Sequence, residues 1–329
     1  MKLIRFLVIF TVFSGQVWAQ FAPPAGEEGT TAIKKDSVII VNWANEVIDF
    51  NRGLLDIATP DGGDASYGDS LAALGVAEGT SVDCVSLGDN GSITLTFPYS
   101  LRDGEGPDFA VFENSFSDDY LEFAFVEVST DGERFVRFPA ISNTQTETQI
   151  ETYGTTDTKL IHNLAGKYRQ GYGTPFDLAD LVDSIGIDLN EILYVRLVDV
   201  IGTIDPLYGT KDSEGNLIND PYKTDFESGG FDLDAVGVIN DNNPFLSTET
   251  LPELVGQVCP NPTSGWLNLP GALSGQIITL TDLEGRFVTS FEGLNQINLS
   301  TYNLAAGTYL IKYQLDGLDS KQFRIVYLP

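Results

Sequence analysis

The stretch GGFDLDAVGVIN, residues Gly229 to Asn240, reads as a β-strand that cannot keep one phase. Phe231 and Leu233 share one parity and Val236 and Val238 the other, so the face turned to a core switches at Asp234-Ala235. A one-residue switch predicts a β-bulge, and bulges re-aim side chains beside sites. Strands of the same kind lie upstream. DFAVFEN (Asp108–Asn114) is apolar on both parities, as a strand in the middle of a sandwich is. EILYVRLVDVIG (Glu191–Gly202) is similar, but Asp199 stands where an apolar residue is expected. In CVSLGDNGSITLTF (Cys84–Phe97) the Asp89-Asn90-Gly91 turn precedes Ile93, Leu95 and Phe97, which alternate with polar neighbours. VEVSTDGERFVRF (Val126–Phe138) turns at Asp131-Gly132. Only Leu71–Val76 and Phe176–Ile185 read as helical. Long loops rich in Gly, Asp and Thr, at 59–70, 143–159 and 202–230, separate the strands and are where binding is expected.

These signals predict an all-β chain: a β-sandwich over residues 20–240, then a small Ig-like β-sandwich over residues 254–329. Between them, Asn, Pro, Ser and Thr mark a linker at 241–253. At the N-terminus Lys2 and Arg5 precede the apolar run Phe6–Phe13, and Val17-Trp18-Ala19 offers a cleavage site. Residues 1–19 are therefore expected to be a signal peptide, and no later segment approaches the ~20 apolar residues of a membrane span.

The chain carries 18 Lys+Arg against 47 Asp+Glu, a net charge of −29. Loss of Lys2 and Arg5 with the signal peptide leaves 16 against 47, or −31. Such a surface repels phosphate backbones, which excludes nucleic acid as a partner, and suits divalent cations or neutral ligands such as sugars. The one histidine, His162, excludes multi-histidine zinc sites, and no nucleophile motif accompanies it. Cys84 and Cys259 fall in different expected domains, so a bridge between them is not favoured.

Four pieces of the C-terminal region occur in a set order: CPNPTSGWLNL (Cys259–Leu269), ITLTDLEGRFV (Ile278–Val288), INLSTYNLAAGTYLIKY (Ile297–Tyr313) and the terminal KQFRIVYLP. The region resembles the type A sorting domain of the type IX secretion system of Bacteroidetes. Two details depart from that pattern: Cys259 stands where an aromatic is usual, and the terminus has fewer lysines. The resemblance implies Sec export, passage through the outer membrane by the type IX translocon, and release or attachment at the surface. In the passenger, residues 20–240, VEVSTDGERFVRF, ILYVRLVDV and FDLDAVGVI resemble strands of galactose-binding-like jelly rolls, which implies a jelly-roll β-sandwich there. VFEN and GGFDLDAVGVI also resemble uncharacterised bacterial cell-surface proteins, which imply no chemistry.

Three functional readings follow. The first is a non-catalytic module binding glycan or another extracellular ligand, with Trp43, Tyr120, Tyr172 and Tyr208 as stacking aromatics. Tyr67 and Tyr222 are further candidates. The second is a glycoside hydrolase using Glu113 with Glu122 or Asp232. The third is capture of a scarce nutrient such as a corrinoid. Ca²⁺ needs six to eight oxygen ligands, and Glu113, Asp199, Asp232 and Asp234 are the expected set, with Asn114, Asp118 and Asp119 near them. Burying Asp199 or Asp234 alone costs on the order of several kcal/mol, so each needs a cation, an arginine or a cluster of backbone donors.

Overall fold

A computed structural model describes residues 21–243, 260–269, 277–283, 285–292, 296–302, 304–315 and 318–329. The expected signal peptide, residues 244–253 of the expected linker, and Cys259 lie outside the described residues. The chain divides into two compact units, Met1–Asn242 and Asn243–Pro329.

Thirteen strands build the first unit: β1 (Ile33–Lys34), β2 (Asn42–Trp43), β3 (Glu46–Asn51), β4 (Val85–Ser86), β5 (Ser92–Leu101), β6 (Phe109–Glu113), β7 (Ala124–Ser129), β8 (Val136–Arg137), β9 (Ile141–Ser142), β10 (Ile161–His162), β11 (Tyr172–Phe176), β12 (Ile192–Asp199) and β13 (Asp232–Val238). One sheet runs β1-β11-β6-β13-β2, with β4 also on β13; the other runs β3-β5-β12-β7-β8; β9 and β10 form a separate pair. Alternation dictates what the two sheets enclose. Phe109, Val111, Val236 and Val238 of the first sheet share one buried cluster with Ile93, Leu95, Val126, Val128, Val195 and Leu197 of the second. Each such side chain contributes about 1.5–3 kcal/mol on burial. Phe109, Phe138 and Phe176 add a ring trio with centroids 5.1 to 5.8 Å apart. The unit is a β-sandwich.

The phase switch in β13 is a register shift. Leu233 faces Glu113 of β6, the next pair is Ala235 with Phe112, and Asp234 is the additional residue. Leu233 and Val236 therefore both enter the inter-sheet core, whereas Ala235 packs on the outer face with Ile33, Ala110 and Phe112. The two expected helices are corrected to single 3-10 turns, Ser70–Ala73 and Leu178–Leu181. Asp69 and Asp177 cap their starts by accepting from Leu71 N and Ala179 N. Leu74 then returns to extended backbone, Gly75 takes a φ of +85°, and Phe176 belongs to β11.

Side-chain hydrogen bonds hold the long loops. Buried Asn219 donates to Gln145 O (2.6 Å) and Thr148 O (2.9 Å) and accepts from Ile150 N (3.0 Å), tying loop 202–230 to loop 143–159. Lys223 Nζ and Tyr222 Oη each lie 2.6 Å from the buried Asp56 carboxylate, which fastens the same loop to residues 52–65.

The second unit has six strands among its described residues: β14 (Trp266–Asn268), β15 (Ile277–Asp282), β16 (Phe287–Glu292), β17 (Gln296–Asn298), β18 (Gly307–Leu315) and β19 (Leu318–Tyr327). The β14-β17 pair and the β16-β15-β18-β19 sheet bury Leu267, Ile278, Leu280, Ile297, Ile311 and Ile325 in one cluster. Gly285, at a φ of +79°, turns the β15-β16 hairpin.

Candidate functional site

Acidic side chains collect at one end of the first sheet because β6 ends on Glu113 and β13 begins on Asp232. Ser86 of β4 pairs with Asp232 and its hydroxyl donates to Oδ1; Asn114 Nδ2 donates to Oδ2 at 2.9 Å. Glu113 Oε2 accepts from Ser115 N at 2.8 Å. After β6 the chain loops through Phe116 and Tyr120, whose rings stack 4.9 Å apart, and comes back to β7 through Glu122. Glu122 is 6% exposed, and its Oε1 has no hydrogen-bond partner among the described residues.

A cavity of about 320 Å³ opens over this end, lined by Ser81, Asn114, Phe116, Tyr120, Glu122, Tyr153, Phe226, Ser228 and Asp232. Its carboxylates are buried, whereas Phe116 and Tyr153 are 63% and 76% exposed, so rings form the outer wall and acids the inner one. Tyr153 and Phe226 come from the two loops that Asn219 ties together, so the wall is pre-assembled.

The electrostatics of this end are unbalanced. Among the described residues, none of Glu113, Glu122, Asp199, Asp220, Asp232 and Asp234 forms an ion pair with lysine or arginine. Burial, then the charges of Asp232, Glu113, Asp220 and Asp199, pushes the Glu122 carboxyl well above the usual range. Burial does the same to Glu113, with Asp232 and Asp234 adding to it. Asp232 is raised by burial against the opposing hydrogen bonds of Ser86 and Asn114 and the charge of Arg52. The Arg52 guanidinium is itself spent on the carbonyls of Tyr67, Ser86 and Gly68. Cys84 nearby is buried and its thiol is pushed upward by burial, which makes it a poor nucleophile.

The sequence-derived residues scatter across this geometry. Glu113 and Asp232 meet at the sheet end beside Glu122. Asp199 accepts from Asn90 N (3.0 Å) and Phe231 N (2.8 Å), and Asp234 from Glu78 N (2.9 Å) and Gly79 N (2.8 Å). These two carboxylates are loop staples served by backbone donors. Three acidic oxygens come within 4.8 Å of one another, among the described residues, at Asp103, Asp108 and Asp177. There Asp108 is met by Gly104 N, Leu178 N and Asn240 Nδ2, each at 2.8 Å. Of the four aromatics, Tyr120 lines the cavity. Trp43 packs on Phe112 and Gly237, Tyr172 lies under Arg169, and Tyr208 sits in the Asp205–Tyr208 turn. Phe116, Tyr153 and Phe226 escaped the sequence reading; large rings inside long polar loops were the available signal.

A second hollow of about 560 Å³ is lined by Phe21, His162, Lys167 and Thr174 among others. His162 stacks on Phe21 at 4.9 Å, and Lys167 Nζ donates to Ile161 O at 2.7 Å. Its acids are engaged, Asp177 by Ala179 N and Asp180 by Asn163 Nδ2, each at 2.8 to 2.9 Å, and its buried atom without a partner among the described residues is a neutral hydroxyl, Thr174 Oγ1, not a carboxylate.

Residues 257–326 match the family described as Secretion system C-terminal sorting domain. The C-terminal unit is a type IX sorting domain. The sorting domain marks the chain for secretion and the outer surface and for interaction with the type IX machinery. No described helix is long and apolar enough to cross a membrane. No curated protein matches the chain. Among solved structures, the chain is similar to PorZ, a bacterial surface component of the type-IX secretion system of Porphyromonas gingivalis. Identity is 18% over 32% of this chain and 14% of that one, with a TM-score of 0.20. A biofilm associated protein BSP domain is 16% identical over 72% of this chain and 48% of that one, also with a TM-score of 0.20. The chain thus spans less than half the length of either, and at these scores neither informs the passenger.

Proposed function

We propose that the passenger unit is a non-catalytic binding module, displayed outside the cell by its sorting domain, that takes a small extracellular ligand into the cavity over β6 and β13. The observation behind this is the lining: four rings, Phe116, Tyr120, Tyr153 and Phe226, around the buried carboxylates of Glu122 and Asp232. A concave site with apolar walls and a few convergent polar groups is the usual form of a small-molecule site. At about 320 Å³ it suits a molecule of monosaccharide size rather than a corrinoid. Hydrolysis of a glycoside requires one carboxyl held protonated and a second held ionised. Burial raises Glu113, Glu122 and Asp232 alike, which favours binding over that chemistry.

Thermal melts of the exported chain across a panel of sugars, amino sugars and small amines test the reading. A ligand should raise the passenger's melting temperature, and Tyr153→Ala or Phe226→Ala should weaken its binding roughly tenfold, the order of one lost ring contact. Ligands whose binding is indifferent to both substitutions would place the site elsewhere.

A further inference from the structure

We propose that the ligand of this cavity is an N–H-bearing organic cation of monosaccharide size, its protonated amine seated on Glu122 and Asp232 within the ring wall. The inference rests on the preceding reading of the cavity and adds the charge of what enters it. Three independent features point to a cation. Glu122 Oε1 is buried in the lining and accepts from no donor among the described residues, although a buried acceptor left without a donor is costly. Among the described residues no lysine or arginine pairs with the cavity's acids, so a bound positive charge would supply that partner. Phe116, Tyr120, Tyr153 and Phe226 share the lining with them, and a ring face turned to a cation attracts it.

The same features select among cations. A bare Ca²⁺ requires several oxygens converging on one point, and among the described residues that convergence occurs at Asp103, Asp108 and Asp177, away from this lining. An acceptor lacking a donor asks for an N–H, which a protonated amine has and a quaternary amine lacks. Electrically, Glu122 and Asp232 face Glu113, Tyr120, Asp199, Asp220 and Arg52, and Arg52 is the cation of that set. Burial raises both carboxyls, so without a bound cation each keeps its proton to a higher pH than a free carboxyl does. A cation entering drives protons off, so its binding tightens as pH rises.

The test is titration calorimetry on the exported chain with matched pairs: D-glucosamine against D-glucose and N-acetyl-D-glucosamine, and n-butylamine against n-butanol. CaCl2 alone serves as a further probe. Expected are binding of a protonated amine at least tenfold tighter than its neutral partner, tightening of n-butylamine, which stays protonated throughout, between about pH 5 and pH 8, and loss of that preference in Glu122→Gln. Equal binding of the neutral partners overturns the cation while leaving the binding module standing. Calcium binding abolished by Glu122→Gln overturns it in favour of a metal. A panel in which no member binds overturns both readings. The matched pairs decide on the unaltered chain, so a misfolded variant does not spoil the test.

Discussion

Gly166→Ala should lower the melting temperature of the passenger unit by roughly 5–20 °C and disorganise the cavity with it. Gly166 has a φ of +84°, and a Cβ placed there would lie 1.8 Å from the carbonyl oxygen of Glu122 and 3.1 Å from the ring of Phe231. The left-handed backbone costs a non-glycine residue about 1–3 kcal/mol. Overpacking adds about 1–3 kcal/mol more. The clashing atom is backbone and is pinned, because Ala124 and Ala165 exchange hydrogen bonds of 3.2 and 2.9 Å beside it. Gly215→Ala is the control: φ is +88° there too, but the added Cβ meets nothing within 4 Å, so only the backbone part of the loss should appear. Melts of both variants check this, and equal losses would mean that the close approach to Glu122 is not rigid.

Removing residues 243–329 should abolish display. The sorting domain is a compact unit, and among the described residues each unit has its own buried cluster. Cells making the truncated chain should therefore keep a passenger that still melts cooperatively, while surface labelling and the culture medium fall to background. Undiminished surface labelling would show that residues 257–326 are dispensable for export despite their match to the sorting family.

Sequence exposed the scaffold well because a strand's period of two leaves few readings. Parity in GGFDLDAVGVIN was enough to locate the bulge, and the register shift lies at Leu233/Ala235. The sorting domain was legible for a different reason, since its motifs recur in fixed order. Site residues were harder. Asp199 and Asp234 look alike to Asp232 in sequence, and only three-dimensional placement shows that backbone donors reach the first two while Asp232 faces a cavity. Trp43 and Tyr172 stood out by residue type but pack against Phe112 and Arg169, whereas Tyr153 and Phe226 depend on loop crossings held by Asn219. No local pattern encodes such crossings.

The acids around Glu122, buried without a lysine or arginine partner among the described residues, bear directly on stability and pH. An acid raised by folding binds its proton more tightly folded than unfolded, so its contribution is undiminished below the ordinary carboxylate range and declines as pH climbs through the raised value. Asp89, pushed up to about 6 by burial, and Glu113, Glu122 and Asp232 all act in this direction. His162, lowered by burial, acts oppositely, and comparing two chains that both contain it removes its effect. The decisive measurement is therefore the melting temperature of the passenger from about pH 5 to pH 8 for the native chain and for Glu122→Gln. The expected result is a difference that grows with pH in favour of the glutamine variant. A difference that is constant with pH, or one that grows in favour of glutamate, would contradict it.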